Sequence, residues 1–563
     1  MKSRSLSRLA VALGAFASSV AFAQTAPPAS ADYGLPGPVT AAIASIDRDH
    51  IKSHVRFLAS DLLEGRGTGS RGGDIAAQYI AAQFSLLGLK PAGDSGTYLQ
   101  KVRFAGTQTL DSTRLGFAPT TGDAIPLKLL DDYVVSNHTL TESVTVDAPV
   151  VFVGYGIEAP EYQWDDYKGV DVRGKVVMII VNEPPSNDVK LFKGEALTYY
   201  GRWSYKYEQA ARKGAVGAVI IHRDDLASYP WQVVKSSWSN EAVALADDPR
   251  PKLKAASWIQ LSVARLLLSL AGRDLDETIK LAGTREFKAF DLPLRLTASI
   301  DSRVRRFESN NVIAMLPGTD KGPPKQAVLY SAHYDHLGIV PDMPGDNIYN
   351  GAIDNASGVG LVLEMARAWS SMKDRPPHPV IFTAVTAEEK GLLGSKYLGE
   401  HLPLPAAQIA LNLNFDSYAP FGAPESVKML GAERLNFYPT VEKTAKAFRL
   451  SIEPDSRPLA GSYYRSDHFS MARVGVPAFS VSLGDKFVGQ TREWGLEQSR
   501  EYTAKNYHQP SDEFREDLDF TSGAEMARFG MALGWQALTA PAAISWLPGD
   551  EFEAVRLKSE RAP

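Results

Sequence analysis

Between Asn311 and Leu538, short apolar runs alternate with stretches of helical period, and that alternation leaves few architectures open. The runs are Val312–Leu316, Ala327–Ser331, Val380–Val385, Ile409–Phe415 and Ala478–Val481. The helical stretches include Gly358–Trp369, Glu433–Phe448 and Gly523–Leu538. Strands separated by helices predict an α/β fold, a mixed and mostly parallel sheet sandwiched by helices. In such sheets ligands collect outside the carboxyl ends of the strands.

The remaining sequence has a different texture. At 563 residues the chain exceeds one ordinary core, so several domains are expected. Lys2, Arg4 and Arg8, the apolar stretch Leu9–Ala17 and Ala21-Phe-Ala23 read as a signal peptide over residues 1–23 of an exported protein, periplasmic or secreted. A flexible leader is expected over 24–38, and the N-terminal part of the α/β domain over 39–135. From about Val144, β-rich segments such as Pro149–Gly156, Gly174–Val181 and Gly214–Ile221 group no His with carboxylates. They predict an inserted β-rich domain over 136–285, before the main α/β part at 286–545 and a C-terminal tail at 546–563.

Composition narrows the chemistry. A formal net charge of -5 argues against a nucleic-acid partner. After the leader, no apolar run approaches the roughly 20 residues of a membrane span. Cysteine is absent, which excludes disulfides, thiol nucleophiles and thiolate metal sites. A metal would have to sit on His, Asp and Glu, a donor set that suits zinc or manganese.

Five segments put such donors at strand ends or in turns. In Ala327–His336, an extended chain points His333 and Asp335 to one side and His336 out of phase, with Asp335 placed to orient a histidine ligand. In Gly351–Gly358, Asp354 opens a helix, where an ordinary cap is the plain alternative. Glu388 and Glu389 follow the Val380–Val385 strand, Asp416 ends Leu411–Asp416, and His508 lies in the turn Asn506–Asp512. A sixth stretch, Ser462–Phe469, offers Asp467 and His468 as pocket residues, or a surface loop. No Gly-x-Ser-x-Gly elbow supports a serine nucleophile.

The order His-x-Asp, Gly-x-x-Asp-x-x-x-Gly, Glu-Glu-x-Gly-x-x-Gly-Ser, Asn-x-Asp and a late His resembles the co-catalytic di-zinc aminopeptidases, the family of aminopeptidase Y and bacterial leucyl aminopeptidases. The stretch Phe57–Gly67 is also similar to members of that family, and the β-rich block looks like their inserted protease-associated domain. The resemblance implies two zinc ions per chain. His333 and Asp416 would bind one, Glu389 and His508 the other, and Asp354 would bridge both. Glu388 would be the general base and Asp335 the partner of His333. Asp467 and His468 would hold substrate. The expected activity is hydrolysis of N-terminal residues from peptides. A carboxypeptidase, with Arg465 gripping the substrate carboxylate, a glutaminyl cyclase and a non-catalytic receptor-like protein are the alternatives on this scaffold. The preferred N-terminal residue and the oligomeric state are not readable.

Overall fold

The computed structural model describes residues 33–561 apart from 228, 321–325, 342 and 457. The expected signal peptide and the leader up to residue 32 lie outside the described residues. Two sheets organise the chain. In the main sheet the strands Val380–Val385, Ala327–His333, Ile409–Phe415 and Ala478–Leu483 lie side by side and parallel. The end of Phe290–Leu316 flanks them antiparallel on one side and pairs antiparallel with Leu99–Thr109 beyond, while Ser426–Leu430 flanks them antiparallel on the other. Every residue of the first three parallel strands is buried, which requires cover on both faces. Helices Gly358–Ser370, Thr521–Leu538, Leu393–Glu400 and His468–Arg473 supply cover. Each buried Leu, Ile or Val in this core contributes about 1.5–3 kcal/mol.

The second sheet is built on Val176–Ile180, Gly217–Ile221 and Ala255–Ile259, again parallel and wholly buried. Their side chains alternate between two apolar clusters, Val176, Met178 and Ile180 entering one, Val177 and Ile179 the other. Helices Leu261–Leu270 and Leu275–Ala282 join the Trp203–Arg212 helix here, so the insert is less purely β than its sequence texture suggested.

One strand belongs to both sheets. Phe290–Leu316 pairs with Arg114–Pro119 and Ser143–Phe152 over its first half, then with Leu99–Thr109 and Val380–Val385. Its burial alternates residue by residue early on and becomes nearly continuous at Val312–Leu316, where it enters the helical sandwich. Ladder pairing of the second sheet therefore reaches from Arg114 to Asp301, wider on both sides than the 136–285 expected from composition, while Ala242–Leu245 within that stretch pairs with Leu99–Thr109 of the main sheet. The expected tail at 546–563 is corrected: Trp546 and Phe552 are buried, and Arg556 donates to the carbonyls of Ala406 and Ile409. In its helix Glu553–Arg561, Arg556 is the buried residue, a long side chain with its stem covered.

Candidate metal centre

Three neighbouring parallel strands deliver most of the donors. His333 closes Ala327–His333, Asp416 follows Phe415 directly, and Glu388 and Glu389 come just after Val385. Strand parallelism puts these ends on one edge of the sheet. Asp354 lies in the turn feeding helix Gly358–Ser370, and His508 follows helix Arg492–Lys505 with φ 56°.

The donors converge. His333 Nε2 is 3.3 Å from Asp354 Oδ1 and 3.3 Å from Asp416 Oδ1. His508 Nε2 is 3.3 Å from Asp354 Oδ2 and 3.2 Å from Glu389 Oε2. Two ligands held about 2.1 Å from one tetrahedral ion stand about 3.4 Å apart, so these spacings match a shared cation. His333 Nδ1 faces the Asp335 carbonyl at 3.1 Å; donating there leaves the Nε2 lone pair aimed at the carboxylates. His508 Nε2 has no hydrogen-bond partner despite its two acidic neighbours. Donor atoms of His333, Asp354 and Asp416 form one compact group, those of His336, Asp354 and Glu389 a second, and Asp354 is common to both. Nitrogen and oxygen donors without sulfur suit two divalent ions.

The electrostatics favour cations too. Burial pulls the His333 imidazole down, but Glu388, Asp416 and Asp354 raise its pKa well above the ordinary value. His508 is likewise raised, to about 10, by Asp354 and Glu389 against burial. Neighbours in sequence, the two glutamates split. Burial pushes Glu388 well above the carboxylate range, helped by Glu389, Asp467 and Asp416. The Glu389 side chain is buried as well, yet the bond from His336 and the nearby His508 imidazole hold it at about 2.

Residues 311–532 match the model of peptidase family M28. They belong to that family. Among curated proteins, a probable zinc metalloprotease of Pyrenophora teres f. teres is 27% identical over 330 residues, 57% of this chain. Leupeptin-inactivating enzyme 1 of Streptomyces exfoliatus is 29% identical over 252 residues, 43% of this chain. The matches span 66% and 51% of those relatives' own lengths. Among solved structures, an aminopeptidase from Aneurinibacillus sp. strain AM-1 aligns over 89% of this chain and 96% of its own, with 20% identity and a TM-score of 0.49.

Within the M28 domain, side chains behind the donors hold them in place. Asp512 accepts from the main-chain N–H groups of Ile353 and Asp354. Asn355 accepts from Ser417 N and donates to the Phe415 carbonyl, tying the Asp354 turn to the Asp416 strand. Ser466 Oγ donates to Asp416 Oδ2 at 2.7 Å. Sequence reasoning named none of these roles, since each depends on a partner 50 or more positions away.

Other expectations need correction. His336 is not turned away: its Nδ1 meets Glu389 Oε1 at 2.8 Å. The strand ends at His333, so pleat alternation no longer governs His336. Gly351, at φ 57°, makes room, because a Cβ there would stand 2.7 Å from the His336 ring. The Asp335 carboxylate is 3.9 Å from His333 Nδ1, and the close partner is its carbonyl. That carboxylate instead accepts from Thr68 Oγ1 and Glu388 N, fixing the loop of the paired glutamates. Asp467 and His468 lie inside the M28 domain, not on a surface loop, and none of their side-chain nitrogens and oxygens has a hydrogen-bond partner. Burial pushes Asp467 up to about 7 and His468 down to about 3. Arg465 is exposed and spends Nε on the Ala460 carbonyl. Tyr507, unremarked in the sequence, stacks on His508 with ring centroids 3.9 Å apart.

Proposed function

We propose that the chain is an exported zinc exopeptidase that removes N-terminal residues from peptides. One observation carries the reading: two donor groups share Asp354, and the half-buried acid Glu388 stands beside them without joining either. His333, Asp416 and Asp354 would hold one zinc, and Glu389, His508 and Asp354 the other. When bound, the pair would polarise the scissile carbonyl and acidify the attacking water. Glu388 takes the proton of that water and passes it to the leaving amine. Asp467, buried and close enough to Glu388 to raise it, would meet the α-ammonium group of an N-free peptide. The Tyr507 hydroxyl stays protonated through burial and the nearby Asp354, Glu389, Asp416 and Glu388, so it can donate to the carbonyl oxygen as negative charge develops there.

Export rests on the leader pattern of residues 1–23. The insert is read as a protease-associated domain without catalytic groups. It touches the helix His468–Arg473: Tyr199 packs on Phe469 at 5.0 Å and Glu208 pairs with Arg473 at 2.9 Å. The test is zinc-loaded protein offered matched peptides with free and blocked N-termini. Cleavage of the free peptides alone supports an aminopeptidase; equal cleavage of blocked ones refutes it.

A further inference from the structure

Arg66 is wholly buried, and it lies outside every strand and turn that carries a donor. The chain reaches it through Glu64, Gly65 and Arg66, with φ values of 51°, 65° and 50°, a left-handed conformation disfavoured for side chains other than glycine. A Cβ at position 65 would stand 2.5 Å from the Tyr349 carbonyl oxygen. Such backbone is kept only where surrounding contacts over-determine it.

Those contacts are specific. Arg66 Nε donates to the Tyr334 carbonyl at 2.7 Å, and Nη2 to that of Gly351 at 2.8 Å. Nη1 donates to the carbonyls of Leu58 and Asn350, each at 2.5 Å. Tyr334 sits between His333 and Asp335, while Asn350 and Gly351 lead into Asp354. Leu58 ends helix Arg48–Leu58. The main chain joins in, for the Arg66 carbonyl accepts from His336 N, and Thr68 bonds Asp335. All four acceptors of the guanidinium are main-chain carbonyls, whereas a buried arginine ordinarily pairs with a carboxylate. Asp512, Asp335, Asp354 and Glu389 offset its charge through space, and burial still lowers its pKa, to about 10.

We propose that Arg66 is the positioning residue of the metal centre, clamping the His333–His336 turn to the approach to Asp354 so that both donor groups stand assembled before any ion arrives. This rests on the reading that the centre takes two divalent ions. Charge and clamp predict opposite signs. A fixed positive charge repels incoming cations, so if charge were its whole contribution, removing it would tighten metal binding. A clamp predicts weaker binding when the fork is lost, even if the charge remains.

The experiment is a competition titration of zinc against a chromophoric chelator on the full chain, for the parent, Arg66→Lys and Arg66→Gln. Both variants are expected to bind roughly 10- to 100-fold more weakly, as for other residues that orient metal ligands. The cobalt(II) absorption spectrum should broaden and lose intensity in both, a change that simple loss of stability would not cause. Unchanged affinity and spectrum in Arg66→Lys, or tighter binding by Arg66→Gln, overturns the clamp. Should neither variant fold, hydrogen exchange on the parent decides: amides of residues 334–336 and 350–356 must be equally protected with and without zinc, and rapid exchange in the metal-free protein overturns the proposal. A parent that takes up no metal sinks the proposed function itself, whereas a metal-binding parent matched by both variants sinks only the role of Arg66.

Discussion

The two sheets carry similar parts to different ends. Each has buried parallel strands, and each places His or Glu just past a strand end. In the insert, Glu183 follows Val176–Ile180 and accepts from Thr198 N and Oγ1, while His222 follows Gly217–Ile221 and bonds Asp224 at 2.9 Å. Each finds a partner close in sequence, and although His222 Nδ1 is unpaired, neither joins a group of metal donors among the described residues. In the M28 domain the same residue types face one another across strands, and His508 Nε2 is left without a hydrogen bond. Burial dominates at His222 and lowers its pKa, while carboxylates dominate at His333 and raise it. A polar group at a strand end thus becomes a ligand candidate only when its neighbours leave it unsatisfied together.

That contrast can be broken most severely at Asp354. Asp354→Asn should abolish measurable turnover and leave fewer than two zinc ions per chain by elemental analysis; two retained ions would remove it as the shared ligand. Glu388→Gln should retain both ions yet lower kcat by on the order of 10²- to 10⁴-fold. Unchanged turnover there would dismiss the base. Replacing His336 by Ala should weaken uptake of one ion about tenfold, measured by chelator competition.

The pH response tests the electrostatic half of the comparison. The folded pKa of His508, about 10, lies above its ordinary value of 6.5. In the metal-free protein its protonated form therefore contributes stability that is complete below about pH 6.5 and lost as pH rises through about 10. The Tm of metal-free protein should fall over that window, and zinc should suppress the fall; a flat profile without metal would contradict the assigned contacts. His222, shifted the other way, contributes stability above its unfolded pKa and loses it as pH falls. The smallest effect is expected from His222→Gln, which should leave turnover within about twofold and shift stability by about 1 kcal/mol. A large loss of activity would mean the insert participates in the chemistry.

Much of this was legible beforehand. The strands at 380–385 and 409–415 fall where their apolar runs ended, and the helix at 358–370 runs one residue beyond expectation. His333, Asp354, Glu389, Asp416 and His508 were named from donor type, position and resemblance, and the fold brings all five together. The failures share a cause. Strand pleat stops governing His336 beyond the last strand residue, and the Asp335 carbonyl fills the role that the sequence pattern assigns to its side chain. Ser466, Asp512 and Arg66 act on residues distant in sequence, and such pairing leaves no local periodicity to read.

Local patterns by themselves determined the α/β class, the absence of thiol chemistry and which acids and imidazoles were available, because hydrophobic period and donor type are written residue by residue. Only the tertiary structure decided that Asp354 presents one oxygen to each of two histidines, that adjacent glutamates hold their protons so differently, and that a buried arginine ties two donor turns together. Those outcomes depend on distances between segments and on burial, and both exist only once the sheet has closed over them.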